Sequence, residues 1–205
     1  MAPSSAQSRS SRKLILASAS PRRKEILAAA GFDFDLAPTE VEENQLRGET
    51  PAEMVCRLAA AKAEAALVAA AQPCWAPVLA ADTVVVIDGH ILGKPASLEE
   101  ATTMLRMLSG REHQVLTGVC LLLQTENGTV RRDVRLATTT VRFATLTQEE
   151  IQQYVRTGEP LDKAGAYGVQ GQASKFVERI EGCYFNVVGL PIALVYGMLK
   201  ELETA

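Results

Sequence analysis

Histidine, tryptophan and closely spaced cysteines are scarce in this chain of 205 residues, which has two histidines, one tryptophan and four cysteines. Cys56, Cys74, Cys120 and Cys183 stand far apart with no C-x-x-C pair, and only His90 and His113 could join them, so the ligand spacing of a zinc site is missing. Scattered thiols fit a reducing compartment, and a cytoplasmic setting is expected. No apolar run approaches a membrane span, which excludes a membrane partner at the level of the sequence. A net charge of −3 removes the global basicity that a nucleic-acid partner would favour, so any anion-binding surface must be local. Without histidine or cysteine clusters, a metal would have to be a hard ion held by carboxylates and phosphate oxygens, Mg²⁺ or Mn²⁺. Internal repeats, low-complexity blocks and linkers are also missing. What is present is an ordinary globular composition, long enough for one sizeable core or two small lobes.

Residues 1–12 are Ser-rich, basic and free of acids. A transit-peptide fragment has that composition, but the stretch is short and has no apolar face, so a disordered basic tail is expected. Helix and hairpin signals punctuate the rest. Thr50-Pro51-Ala52-Glu53 is a capping box that opens an Ala-rich helix to about Ala71. Val78–Ile87 reads as a buried strand, turned by Asp88-Gly89 into Ile91-Leu92. Ser97-Leu98-Glu99-Glu100 reads as a second capping box opening a helix that ends near Gly110, and Thr147-Gln148-Glu149-Glu150 as a third opening one that stops at Gly158. Between them, Gln114–Gln124 and Val130–Phe143 form strands around an Asn127-Gly128 turn. Residues 159–189 read as mostly loop with a strand near Lys175–Ile180, and Pro191 begins a closing helix. Hairpins beside strand–helix crossovers predict an α/β unit with a mixed sheet and flanking helices.

Chemistry concentrates at a few points. An apolar run from Leu14 stops at Ser20, a good N-cap, and Pro21 suits the first helical position. Arg22, Arg23 and Lys24 then fall in the first turn, where cations oppose the helix dipole. Two readings stay open there: a solvated charge cluster, or a site that holds a phosphate. Asp82 interrupts the strand Val78–Ile87, and a buried carboxylate needs a cation or donors. It is either a structural ion pair or a metal ligand or general base at the mouth of a cleft. Lys62 shares a helical face with Val55, Ala59 and Ala66, where it snorkels to water or reaches a phosphate. Lys94, in Gly93-Lys94-Pro95, is by default a surface lysine. Glu40, Glu42 and Glu43 form an acidic patch that is either a solvated loop or help for Asp82 in holding a cation. The loop 162–171 carries three glycines that permit close backbone approach to a ligand.

Taken together, five segments have a more specific identity. Ser18-Ala19-Ser20-Pro21-Arg22-Arg23, Ala81-Asp82-Thr83-Val84, Gly93-Lys94-Pro95, Asp162-Lys163-Ala164-Gly165-Ala166-Tyr167-Gly168-Val169-Gln170-Gly171 and Asn186-Val187-Val188-Gly189-Leu190-Pro191 occur in the order seen in the Maf family. The chain resembles those nucleoside triphosphate pyrophosphatases from about Lys13 to Leu202, so residues 13–205 are expected to form a single catalytic domain.

The resemblance implies two lobes around a deep cleft, similar to inosine triphosphate pyrophosphatases, and cleavage of a nucleoside triphosphate between its α- and β-phosphates. It implies that Asp82 is the proton acceptor and that Glu43 shares a divalent metal with it. Ser20, Arg22, Arg23, Lys62 and Lys94 match cleft residues that handle phosphates. Arg22, Thr83 and Gln170 match the branch that prefers dTTP and UTP over the 7-methyl-GTP branch. Removal of non-standard pyrimidine nucleotides is a related expectation. Family members often form dimers, so a homodimer is expected as well. Their link to septum inhibition leaves one alternative, a nucleotide-binding regulator of cell division that needs no turnover.

Overall fold

The computed structural model describes residues 13–70, 74–125 and 127–204, so the basic tail lies outside the described residues. Strand β1 (Leu14–Leu16) leads into α1 (Pro21–Ala29), and β2 (Phe34–Leu36) returns beside it. Helix α2 (Pro51–Ala69) opens on the expected box, with the Thr50 side chain accepting from the Glu53 N–H and the Glu53 carboxylate answering the Thr50 N–H. Strands β3 (Val78–Ile87) and β4 (His90–Leu92) form a hairpin, followed by α3 (Leu98–Leu108). Strands β5 (Glu112–Gln124) and β6 (Val130–Phe143) make a long hairpin, and α4 (Gln148–Val155) opens on the second complete box. Strand β7 (Val177–Glu181) and helices α5 (Tyr184–Val188) and α6 (Ile192–Thr204) close the fold. Among the described residues, no helix is long and apolar enough to cross a membrane.

The seven strands form one mixed sheet in the order β2-β1-β3-β5-β6-β7, with β4 also paired to β3. Strand β1 runs parallel to β2 and β3, and the remaining pairs are antiparallel. Strand alternation divides β3 between two cores. Val78 and Ala80 pack on Ala59, Ala63 and Ala66 of α2, and Val84 packs on Val55. Leu79, Ala81, Val85 and Ile87 join the larger core on the other face, with Leu105 and Leu108 of α3, Ile151 of α4 and Phe176.

Several expectations change in detail. Ser20 occupies the N-cap of α1, but its side chain makes no cap hydrogen bond. Residues 159–176 fold into three short 3₁₀ turns, Glu159–Asp162, Ala164–Ala166 and Gln172–Phe176, rather than open loop. Strand β2 and helix α5 carry too few residues for a periodic signal.

Gly118 sets how closely α2 approaches the sheet. It pairs with Asp82 across β3 and β5, and a Cβ there would lie 2.3 Å from the Val55 carbonyl oxygen. Calorimetry of Gly118→Ala should show a loss of about 2–3 kcal/mol, or roughly 5–10 °C in Tm. Gly197→Ala in α6, where a Cβ meets open space, should instead gain about 0.5–1 kcal/mol.

His113 is 2% exposed, with Nε2 2.8 Å from the Tyr167 hydroxyl, and burial pushes its pKa down to about 4. The unfolded chain takes up this proton near pH 6.5, so the stability is whole above that value and drains away as pH falls toward 4. Urea unfolding should show about 2–3 kcal/mol lost through this residue between pH 7.5 and 4.5. His113→Gln should flatten that part of the profile.

Candidate active site

Strand β3 pairs with β1 at Val78 and Leu79 and with β4 from Val85 to Ile87, all on one edge. Residues 80–84 between them have no strand partner on that edge. The chain leaving β1 turns there into α1, and a cleft of about 480 Å³ opens against the unpaired stretch. Ser20, Arg22, Arg23, Glu43, Lys62, Asp82, Thr83, Lys94 and Gln170, widely separated in sequence, all line it. Lys24 does not; it is exposed on the outer side of α1.

Asp82 projects toward α2. Its Oδ1 accepts from Lys62 Nζ at 2.6 Å, and the same ammonium donates to Glu43 Oε1 at 2.6 Å. Lys62 and Asp82 are 9% and 8% exposed, so each supplies the charge that the other's burial demands. Asp82 Oδ2 has no protein partner among the described residues. Thr39 donates to the Lys62 carbonyl at 3.2 Å, tying the segment before Glu43 to α2. Burial alone would raise the Glu43 pKa, but the Lys62 hydrogen bond and the charges of Lys62, Lys94 and Arg23 hold it below the usual range. Within the acidic patch only Glu43 reaches the cleft, while Glu42 accepts from Asn44.

Thr83 projects to the opposite face and meets the cleft from the other side. Its hydroxyl accepts from Arg23 Nη2 at 3.1 Å and lies 2.9 Å from the Thr117 hydroxyl. Arg23 also donates through Nε to the Gly189 carbonyl at 2.8 Å and through Nη1 to Ser18 Oγ at 3.2 Å. Burial lowers the Arg23 pKa against the opposing charge of Asp82, yet a guanidinium stays protonated under any working condition. Gly189 is placed by α5, whose Asn186 donates to the Val115 carbonyl at 2.9 Å and to Thr139 Oγ1 at 3.0 Å.

The outer wall is built on ion pairs to an exposed carboxylate. Arg22 donates to Asp162 Oδ2 at 2.9 Å, and Lys163 donates to Asp162 Oδ1 at 2.6 Å. Burial would raise the Asp162 pKa, but these two cations bring it below its ordinary value. Exposed Lys94 follows β4, where the Gly165 N–H donates to the Gly93 carbonyl at 3.0 Å and joins the two loops. Gln170 stands exposed on the same wall.

Sequence reading alone missed Thr117, Thr39 and Lys163 as parts of the site. Thr117 becomes legible only from register, because it sits opposite Thr83 on β5. For a metal, no group of three or more His, Cys, Asp or Glu stands together among the described residues. Two carboxylates on one ammonium do stand together, Glu43 and Asp82. That donor set fits Mg²⁺ or Mn²⁺, which complete their shells with phosphate oxygens and water rather than an all-protein cage.

Comparison with known proteins matches residues 13–202 to the family described as Maf-like protein. Proteins named dTTP/UTP pyrophosphatase from Symbiobacterium thermophilum and Koribacter versatilis are 51% and 52% identical to this chain, covering 92% of it and 93% of each relative. A protein of the same name from Bacillus pumilus is 50% identical over 92% of this chain and 95% of its own length. A crystal structure of a nucleoside-triphosphatase, dITP/XTP pyrophosphatase, from Mycobacterium abscessus aligns at a TM-score of 0.37 and 15% identity, over 65% of this chain and 75% of that one. That likeness is too slight to carry an argument. The family match spans nearly all of the described fold, including every segment that builds the cleft, and the chain belongs to the Maf-like protein family.

Proposed function

We propose that the chain hydrolyses dTTP and UTP to the nucleoside monophosphate and pyrophosphate. The observation that carries this reading is the shared Lys62 ammonium between Asp82 and Glu43, facing the guanidinium groups of α1 across one cleft. The relatives' names support the substrate class, since proteins about half identical to this chain are named dTTP/UTP pyrophosphatases.

A nucleoside triphosphate brings about four negative charges at neutral pH, and breaking the α–β anhydride adds charge to the departing pyrophosphate. Arg22, Arg23, Lys62 and Lys94 supply cations from three separate segments, α1, α2 and the loop after β4. Arg23 is the most firmly held of them, with its Nε and both Nη groups fixed by Gly189, Ser18 and Thr83. Such preorganised charge needs no rearrangement as the anhydride breaks, and it supplies the larger share of rate enhancement. Arg22 is held by the exposed Asp162, so a phosphate can take over its guanidinium at small cost.

Asp82 is assigned to priming the attacking water. Lys62 occupies Oδ1, which leaves Oδ2 to accept the water proton as the water oxygen bonds to the α-phosphorus. The bond from that phosphorus to the bridging oxygen breaks, and the oxygen departs with the pyrophosphate. Glu43 and Asp82 would hold the divalent ion, which when bound neutralises phosphate charge and lowers the pKa of water. Ser20, at the start of α1, offers a hydroxyl and a nearby helix N-terminus to a phosphate. Gln170 carries both a donor and an acceptor, matching the O4 and N3–H edge of uracil or thymine.

Incubating the purified protein with each ribo- and deoxyribonucleoside triphosphate, with and without Mg²⁺ or Mn²⁺, tests this reading. UMP and dTMP with pyrophosphate are the expected products, and chelation with EDTA should suppress turnover. Orthophosphate with a diphosphate product, or no turnover on any nucleotide, would overturn the assignment. Asp82→Asn should lower kcat by at least about 100-fold with KM changed only a few-fold. Single-turnover kinetics check this, and unchanged turnover removes Asp82 from the base role.

A further inference from the structure

We infer that Tyr154 and Glu159 form a polar clamp that positions Gln170 and thereby sets the base preference of the cleft. This rests on the proposal that Gln170 reads the pyrimidine edge. Gln170 lies in a tight turn closed by the Gly171 N–H donating to the Gly168 carbonyl at 3.0 Å. The backbone on each side of that turn is held from beneath. The Gly168 N–H donates to the Tyr154 hydroxyl at 3.3 Å, and that hydroxyl donates to Glu159 Oε1 at 3.0 Å. The Gln172 N–H donates to the other oxygen, Glu159 Oε2, at 3.1 Å. One carboxylate therefore reaches both flanks, two residues before and two residues after Gln170.

The fit is close. A Cβ on Gly171 would stand 2.1 Å from Glu159 Oε1, and one on Gly168 would stand 2.6 Å from the Lys163 side chain. A larger residue at either position would push the Glu159 carboxylate or the Lys163 side chain out of its place in the clamp. Lys163 steadies the base of the arrangement by donating to the Glu159 carbonyl at 2.8 Å. Tyr154 is 2% exposed, and burial followed by the Glu159 contact raises its pKa, so its hydroxyl keeps the proton it donates. Neither side chain lines the cleft, so both act through the backbone and are positioning residues.

Gln170 is exposed and carries no side-chain hydrogen bond among the described residues, so the turn alone sets the point from which its amide reaches into the cleft. A base-reading amide that wanders loses discrimination before it loses chemistry, because the phosphates are held by other segments. A clamp on the turn should therefore control selectivity more than turnover.

The test compares kcat/KM for UTP with kcat/KM for CTP in the parent and in Gln170→Ala, Tyr154→Phe and Glu159→Gln, with thermal melting alongside. Glu159→Gln keeps the length of the side chain but exchanges a carboxylate's charge-assisted contacts for the weaker ones of a neutral amide, which loosens the hold on both flanks. The expected result is a fall in the UTP-to-CTP ratio of about 10-fold for Glu159→Gln and about 3-fold for Tyr154→Phe, with kcat on CTP nearly unchanged. Should Glu159→Gln fail to fold, Tyr154→Phe alone decides. If Gln170→Ala lowers the ratio while the folded clamp variants keep it, the clamp is overturned and the base-reading role of Gln170 stands. If Gln170→Ala leaves the ratio unchanged, the underlying reading fails and the clamp fails with it.

Discussion

Between its pairings with β1 and β4, strand β3 runs from residue 80 to 84 with one edge open, in the middle of the sheet. An unpaired edge leaves backbone groups to be satisfied by something other than a strand. Here the opening is flanked by the start of α1 and by loops that follow β4 and α4. Because successive residues of a strand face opposite sides, the gap gives the cleft two chemistries at once. Asp82 looks toward α2 and its lysine, and Thr83 looks toward Arg23 and Gly189. A fully paired β3 would bury both in separate cores.

Charge balance in the cleft follows from this geometry. Lys62 sits nearly out of water between two carboxylates, so removing it leaves Asp82 uncompensated in the interior, whereas removing the more exposed Glu43 leaves the buried pair intact. Arg23 is constrained by neutral acceptors, a carbonyl and two hydroxyls, rather than by a carboxylate. Its positive charge therefore remains available to an incoming anion. Arg22 is in the reverse position, neutralised by Asp162 on a more exposed wall. The inner wall is thus fixed and the outer one exchangeable.

Local signals were the legible ones. The boxes at Thr50 and Thr147 satisfy their own helix ends within four residues, so α2 and α4 could be placed before any tertiary contact was known. The valine-rich run of β3 and the Asn127-Gly128 turn are local in the same sense. Asp82 and Lys62 stood out because each violates its apolar surroundings, and their pairing at 2.6 Å resolves both violations together. What stayed hidden depends on register and long-range packing. Thr117 looks like any strand threonine until β5 sets it against Thr83. Ser20 has the identity of a cap, but its backbone N–H turns to Ser18 while its hydroxyl leaves the helix end free. Helix α5 is five residues long and is held by Asn186, whose partners lie on β5 and β6.

The cleft draws its lining from Ala17 near one end of the described chain to Gly189 near the other. Such a site has no autonomous subdomain behind it: a fragment lacking either the first helix or the segment around Asn186 lacks the framework of Arg23. Nucleotide occupancy is thereby coupled to the whole cooperative unit rather than to a local lid. Any ligand that binds this cleft only in the folded state shifts the global unfolding equilibrium by mass action.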